Sequence, residues 1–147
     1  METGGKTLRY TVVQPGDPTP SALAAAAEVL RLLGQGEIAQ AASLSNAPQR
    51  RLEVLQAYRA SVGEEEFKRV FARYARSPVR AEIAIGAHRL IIRDIENAEY
   101  PLAGQYYVEV EGRFVMDDVP NETRADLRRI LLSYRRAAKP RPSGRKD

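Results

Sequence analysis

The sequence predicts an α+β fold in which helices come first and an antiparallel sheet follows. Apolar residues recur at helical spacing as far as Arg76, and from Val79 onward they alternate with polar residues at the two-residue period of a strand. Ser77 and Pro78 stand at this switch, and a proline disfavours helical backbone in the residue before it. The change of period is therefore predicted to be the boundary between the helices and the sheet.

Helical periodicity predicts helices between residues 20 and 76. Thr19 is the expected N-cap of the first helix, with Pro20 at its first position. Gly34 and Gly36 break that helix, because each glycine costs about 1 kcal/mol relative to alanine inside a helix. The clearest apolar stripe belongs to a later helix and consists of Phe67, Val70, Phe71 and Tyr74.

The start of that later helix and the end of the chain carry further helix signals. Ser61 and Glu64 have the spacing of a capping box, which predicts a new helix start between them. Asn121 is the expected cap of a C-terminal helix over residues 121–136. Its apolar stripe is formed by Leu127, Ile130, Leu131 and Tyr134.

Strand-like runs predict the sheet. A short β-prone run covers Leu8–Gln14, and four more runs lie between residues 79 and 118. A polar loop containing Pro101 is expected over Glu96–Leu102.

The last hairpin turns at Glu111-Gly112, and its register has two alternatives. A two-residue loop would pair Val110 with Arg113 and mix apolar and charged residues on both faces. A three-residue connection would pair Val110 with Phe114 and place Tyr106, Val108, Val110, Phe114 and Met116 on one apolar face. Because a register slip moves every side chain to the other face, the three-residue connection is predicted.

The composition describes one domain of ordinary size. The chain has 147 residues and 0 Cys, which excludes disulfides, thiolate metal sites and cysteine nucleophiles. Residues 1–136 are predicted to form the domain, and residues 137–147 a basic flexible tail. That tail carries +3 of the net charge of +4. The body shows no basic face of the kind that nucleic-acid binding requires, so no nucleic-acid partner is expected.

The location of the protein is predicted from its first residues. The polar start runs directly into a strand-like segment and has no signal-peptide core, which suits a mature periplasmic protein whose leader was removed. A cytoplasmic protein is the alternative. No apolar run approaches the roughly 20 residues of a membrane span, so none is expected.

Two segments resemble the nuclear transport factor 2-like (cystatin-like) superfamily, in particular its small bacterial members of uncharacterised function. The segment Tyr106–Val119 resembles the last hairpin of that superfamily, and the residues Gly34–Ala41 resemble the break in its first helix. The chain departs from the family pattern at Phe114, where Trp is common, and in its helix after residue 121. The resemblance implies a curved sheet that wraps around the helices and leaves a cone-shaped pocket, used as an enzyme site or a ligand site, or filled.

Five residues are candidates for lining such a pocket: Phe71, Tyr74, His88, Tyr106 and Met116. His88 is the only histidine, and histidine is a residue type that commonly acts as a general base. Its nearest acid in sequence, Asp94, lies about 20 Å along the strand. Asp117 and Asp118 are adjacent on a strand, so they point to opposite faces and are expected to be a polar strand end.

The predicted function is a non-enzymatic binding or protein-interaction module of bacterial origin, of which an inhibitor or immunity protein is one form. Its partner would be a protein or a small apolar ligand, and it could form a homodimer through the sheet. No phosphate loop, zinc-protease motif or nucleophile elbow is present, and no cofactor or metal is expected. The alternative is a small isomerase- or dehydratase-like enzyme that uses His88 with a nearby acid.

Overall fold

The computed structural model describes residues 2–3, 6–95 and 101–138 and confirms the α+β class. The strands of this part of the chain are β1 (Glu2–Thr3), β2 (Lys6–Thr7), β3 (Thr11–Val12), β4 (Val79–Ile85), β5 (His88–Asp94), β6 (Leu102–Val110) and β7 (Arg113–Met116). The helices are α1 (Leu23–Gly34), α2 (Ile38–Ala42), α3 (Pro48–Val62), α4 (Glu64–Arg76) and α5 (Glu122–Ala138).

An open antiparallel sheet with the strand order β3-β4-β5-β6-β7 forms the centre of the fold. β5 is its middle strand and pairs along its whole length with β6, from His88 opposite Val108 to Asp94 opposite Leu102. β1 and β2 form a separate antiparallel pair. The first strand of the main sheet is shorter than the predicted run, because only Thr11 and Val12 pair with β4.

The two faces of the sheet are both buried, each against different helices. The inner face packs Ile91, Tyr107 and Met116 against α1–α4. The outer face packs residues such as Leu90 and Ile92 against α5. A single layer of strands therefore separates two apolar clusters.

The predicted register of the last hairpin is wrong. The structure pairs Val110 with Arg113 and Glu109 with Phe114, so the loop has two residues. Both loop residues have positive φ, 52° at Glu111 and 81° at Gly112. Such a turn matches the right-handed twist of the flanking strands. In this register Phe114 and Met116 lie on the inner face, with Tyr107 rather than with Tyr106.

The starts of α1 and α4 also differ from the predicted ones, whereas Asn121 caps α5 as predicted, since its Oδ1 accepts a hydrogen bond from the Arg124 amide. α1 begins at Leu23, and Glu82 of β4 accepts hydrogen bonds from the Ala22 amide and the Ser21 hydroxyl, each at 2.7 Å. The Glu82 carboxylate therefore caps the first turn of α1, the role that was predicted for the Thr19 side chain. At α4, Gly63 occupies the N-cap position with φ 91° and no side chain caps the helix, so the predicted capping box is absent.

The C-terminal helix is longer than predicted, since Ala137 and Ala138 continue it. The rest of the predicted tail and most of the Glu96–Leu102 loop lie outside the described residues. Among those that are described, no helix has the length and apolar character needed to cross a bilayer.

Candidate functional site

A cavity of about 200 Å³ lies between α1, α4 and β6, and we call it the inner cavity. It exists because β7 is shorter than β6. β7 ends at Met116 opposite Tyr107, and its register leaves the residues from Leu102 to Gln105 of β6 without a β7 partner. The side chains of the helices therefore face this open stretch of strand.

Apolar side chains form most of the wall of the inner cavity. α1 contributes Val29, Leu30 and Leu33, and α4 contributes Phe71 and Tyr74. The ring of Phe71 packs at 4.8 Å from Phe67 and edge-on at 5.8 Å from Tyr74, between ring centroids. This aromatic stack holds the α4 side of the cavity in place, as aromatic pairs in these geometries do.

Tyr107 supplies a buried polar group beside the apolar wall. Its side chain lines the inner cavity and is only 1% exposed. Its hydroxyl has no hydrogen-bond partner among the described residues. Burial raises the pKa of Tyr107 far above its ordinary value, so the hydroxyl stays protonated and is a donor. A buried hydroxyl without a partner costs about 1–3 kcal/mol. Such an unpaired buried group is unusual in a folded protein.

Gln105 and Arg93 stand next to Tyr107 on the inner face. Gln105 lines the cavity, and its Oε1 accepts a hydrogen bond from Arg93 Nε at 3.0 Å. The Arg93 guanidinium also donates to the Ser77 carbonyl at 3.0 Å. Burial lowers the pKa of Arg93, while the nearby Tyr107 opposes that shift.

A polar cluster closes another side of the inner cavity. Arg51 of α3 forms a two-point ion pair with Asp118, whose Oδ2 also accepts a hydrogen bond from the Ser45 hydroxyl at 2.5 Å. Burial of the Asp118 carboxylate opposes ionisation. The hydrogen bonds from Arg51 and Ser45 outweigh it and hold the pKa of Asp118 below its usual value.

Asp117 lies beside this cluster and is almost wholly buried. Its two oxygens accept hydrogen bonds from the side-chain amides of Asn46 and Asn121, each at 3.0 Å. His88 Nδ1 lies 3.3 Å from Asp117 Oδ2 without the alignment of a hydrogen bond. Asp117 and Asp118 follow the last residue of β7, and both carboxylates tie this polar strand end to other elements.

Four of the five predicted pocket residues border the inner cavity: Phe71, Tyr74, Tyr106 and Met116. Tyr106 packs mainly on the α5 side of the sheet, where Arg124 lies 5.6 Å over its ring. His88 borders neither this cavity nor a second, more open groove of about 640 Å³ along residues 12–21 and β4. The five predicted pocket residues did not include Arg51, Tyr107 or Asp118, which also line the cavity.

No metal site accompanies the cavity. Within residues 2–3, 6–95 and 101–138, no group of three or more His, Asp or Glu side chains is arranged to hold an ion. Comparisons with family models, curated proteins and solved structures find no match for the chain. The resemblance to the nuclear transport factor 2-like superfamily therefore stays a prediction.

Proposed function

We propose that this protein is a non-enzymatic binding module that holds a small, largely apolar ligand in the inner cavity. The observation that carries the proposal is the inner cavity itself, a space of about 200 Å³ with Val29, Leu30, Leu33 and Phe71 in its wall. A mostly apolar cavity with few convergent polar groups is the usual form of a small-molecule site.

The size of the cavity limits the ligand. Drug-sized ligands occupy pockets of roughly 300–1,000 Å³, whereas a dry cavity of about 150 Å³ binds benzene. The inner cavity, at about 200 Å³, suits a body of about one ring. Toluene is therefore a suitable first probe of whether the cavity binds ligands at all.

The test compares toluene binding to the full chain and to two variants by NMR titration and thermal unfolding. At a ligand concentration of about 100 times Kd, binding stabilises the folded state by about 2.7 kcal/mol, which raises Tm by roughly 5–10 °C. Phe71→Trp adds bulk at the cavity wall and should abolish the effect. Val54→Trp changes an exposed position on α3, 53% accessible, and should leave it intact. Absence of binding to the wild-type chain, or equal loss in both variants, would contradict the proposal.

A second candidate function is acid–base catalysis, as in a small isomerase or dehydratase. The observation that favours it is the approach of His88 Nδ1 to within 3.3 Å of Asp117 Oδ2, since a carboxylate beside one ring nitrogen orients a histidine base. It ranks second because His88 borders neither cavity. The test is hydrogen–deuterium exchange at carbon in a panel of small ketones and hydroxy acids, followed by NMR. Exchange that is equal in the wild type and His88→Gln would exclude His88 as the base.

A protein partner, an inhibitor or immunity role, a homodimer through the sheet and a periplasmic location remain predictions from the sequence. The first three predictions are tested by two measurements on the protein purified from its host. Light scattering gives the mass of the native assembly, and its protein composition shows any partner. A monomer without a stoichiometric partner would count against all three.

A further inference from the structure

β6 extends past the end of β7, and there one of its edges has no neighbouring strand among the described residues. We call this stretch, residues 102–105, the open edge. Just before it, the Tyr106 carbonyl accepts a hydrogen bond from the Asp117 amide. Because the backbone groups of alternate residues point to the same side of a strand, the amides and carbonyls of Gly104 and Leu102 also face the open edge. Residues 103–105 are half-buried, so solvent reaches this part of the sheet.

Two arginines of α5 lie at the ends of the open edge. Arg135 Nε donates to the Leu102 carbonyl at 3.0 Å, and Arg124 Nη1 donates at 3.3 Å to the carbonyl of Asp117, just beyond the end of β7. Arg128 lies between them on the helix and is exposed. Arg124 and Arg135 are about 16 Å apart along the helix axis, and the stretch of β6 between their two contacts is about 14 Å long. The three arginines therefore form a row along the open edge, which we call the arginine row.

The arginine row gives this flank of α5 a positive potential. Burial raises the pKa of Tyr106, and the charges of Arg128, Arg135 and Arg124 all oppose that shift, which places all three near the same strand. α5 as a whole has five arginines against two acidic residues, a net charge of +3. The tail carries +3 more of the net +4, which leaves −2 for residues 1–121. The positive charge of the chain is therefore concentrated on α5 and the residues after it.

The carboxylates near the arginine row are bound within the protein. Asp118 forms its ion pair with Arg51, and Asp117 is buried with its oxygens bonded to two asparagine side chains. Asp126 of α5 pairs with Arg129, which belongs to another side of the helix. The surface that the arginine row offers to a partner is therefore positive.

We infer that the open edge binds an extended acidic segment of a partner protein, which joins the sheet as an additional strand. The backbone of the segment pairs with the amide and carbonyl of Gly104, and its acidic side chains face the arginine row. Because alternate side chains of a strand point to opposite faces, the residues in between face the inner side, where the apolar wall of the inner cavity lies. The segment therefore alternates acidic and apolar residues. Strand addition to a free edge is a common mode of peptide recognition, and charge complementarity selects the partner.

The experiment titrates the full chain with short capped peptides that carry a fluorophore, and fluorescence anisotropy gives Kd for each. The first peptide alternates glutamate and valine. The second has the same residues with the glutamates grouped at one end, and the third has lysine in place of glutamate. The alternating acidic peptide should bind at least tenfold more tightly than either of the others, because it alone matches both the charge and the alternation. A short single-stranded DNA tests whether the arginine row attracts any polyanion equally.

Two charge reversals on α5 locate the site. Arg128→Glu replaces attraction by repulsion in the middle of the arginine row, so it should weaken the alternating acidic peptide at least tenfold. Arg136→Glu is the matched control, because Arg136 is also exposed but lies about 80° around the helix from Arg128. It should change Kd by less than threefold. Thermal unfolding shows whether each variant is folded.

Amide hydrogen exchange followed by NMR reports the strand pairing itself. The Gly104 amide faces the open edge, whereas the Ala103 amide faces β5, where Ala103 lies opposite Arg93. A saturating concentration of the alternating acidic peptide should slow exchange at Gly104 at least tenfold and leave Ala103 within twofold. A peptide that is held by charge alone would protect neither amide.

Several outcomes would overturn the inference. They are absence of binding by the alternating acidic peptide, and equally tight binding of the grouped peptide, the lysine peptide or the DNA. Equal loss of binding in Arg128→Glu and Arg136→Glu, or unchanged exchange at Gly104 under saturation, would overturn it as well. Uptake of toluene by the inner cavity is measured separately, so either proposal can fail while the other stands.

Discussion

The inner and outer faces of the sheet are both covered by helices but differ in what they bury. The outer face meets α5 through apolar side chains such as Ile83, Leu90 and Ile92, each 0% exposed. The inner face buries Glu82, Arg89 and Arg93 among its apolar residues, and it borders the inner cavity. Buried polar groups and voids both cost stability, whereas a close-packed apolar layer supplies it.

The two faces of the sheet therefore have different structural roles. The outer face is filled so closely that a Cβ built on Gly104 would lie 2.6 Å from a methyl carbon of Leu131. The inner face borders the inner cavity and buries polar side chains. Because α5 packs closely on the outer face and stabilises the sheet there, the inner face can border a cavity without loss of the fold. Four predictions test this division between a close-packed outer face and an inner face that borders a cavity.

The largest expected effect comes from truncating adjacent residues of β5 that face opposite sides. Leu90 and Ile91 are both 0% exposed, the first on the outer and the second on the inner face. Large-to-alanine changes in a core cost about 2–5 kcal/mol, and the cost is greatest where neighbours cannot relax. Leu90→Ala should lie near the upper end of this range and Ile91→Ala near the lower end, as measured by urea unfolding. An equal or larger cost at Ile91 would break the proposed division.

The α+β order could be predicted from the sequence, whereas the hairpin register could not, and the reason is physical. The change from helical to strand period at Ser77 and Pro78 reflects the local preference of the backbone, which can be read from one sequence. The register argument assumed one apolar and one polar face. Because α5 covers the outer face, both faces of this sheet are buried, and alternation no longer distinguishes them. The predicted register put Tyr106 on the face of Phe114 and Met116, whereas in the structure Tyr107 shares that face.

The polar residues of the inner cavity also could not be predicted from the sequence. Arg51 and Asp118 are 67 residues apart, and only the approach of α3 to the end of β7 brings them together. The aromatic stripe of α4 was visible at helical spacing, so Phe71 and Tyr74 could be named in advance. Local periodicity thus found the apolar wall of the cavity, while its polar groups depend on tertiary contacts.

The second prediction concerns the ion pair on the inner side. Asp118→Asn keeps the shape but removes the charge that binds Arg51, and it should cost about 2 kcal/mol at pH 7. Because the folded pKa of Asp118 is below its unfolded value, its stabilisation is complete above about pH 4 and is lost as the pH falls through the folded pKa. The variant should therefore lose less stability than the wild type between pH 5 and pH 2 in urea unfolding.

The control for that prediction is an exposed pair. Glu66 pairs with Arg69 on α4, where the two side chains are 43% and 72% exposed. Glu66→Gln should cost no more than about 0.5 kcal/mol at pH 7. A cost for Asp118→Asn that is as small as this would show that the cluster contributes nothing specific.

The third prediction compares one glycine from each region. Gly104→Ala places a methyl group against Leu131 and Leu90 on the outer face and should cost about 1–3 kcal/mol. Gly34→Ala, at the end of α1, meets Ala72 at 3.6 Å, which is an ordinary contact. It should stabilise the protein by about 0.5–1 kcal/mol, because alanine favours the helix. Thermal unfolding measures both. Equal tolerance at the two sites would contradict the close packing of the outer face.

The smallest expected effect lies in the hairpin, whose two-residue loop assigns the residues of β6 and β7 to the two faces. Glu111 is a non-glycine residue with φ 52°, in the left-handed region that asparagine tolerates better than glutamate. Glu111→Asn creates the Asn-Gly pair that such turns favour, so it should raise the free energy of unfolding by up to about 1 kcal/mol. In the three-residue register, Glu111 would not need this backbone conformation. A neutral or destabilising result in urea unfolding would therefore count against the register that places Tyr107 in the inner cavity.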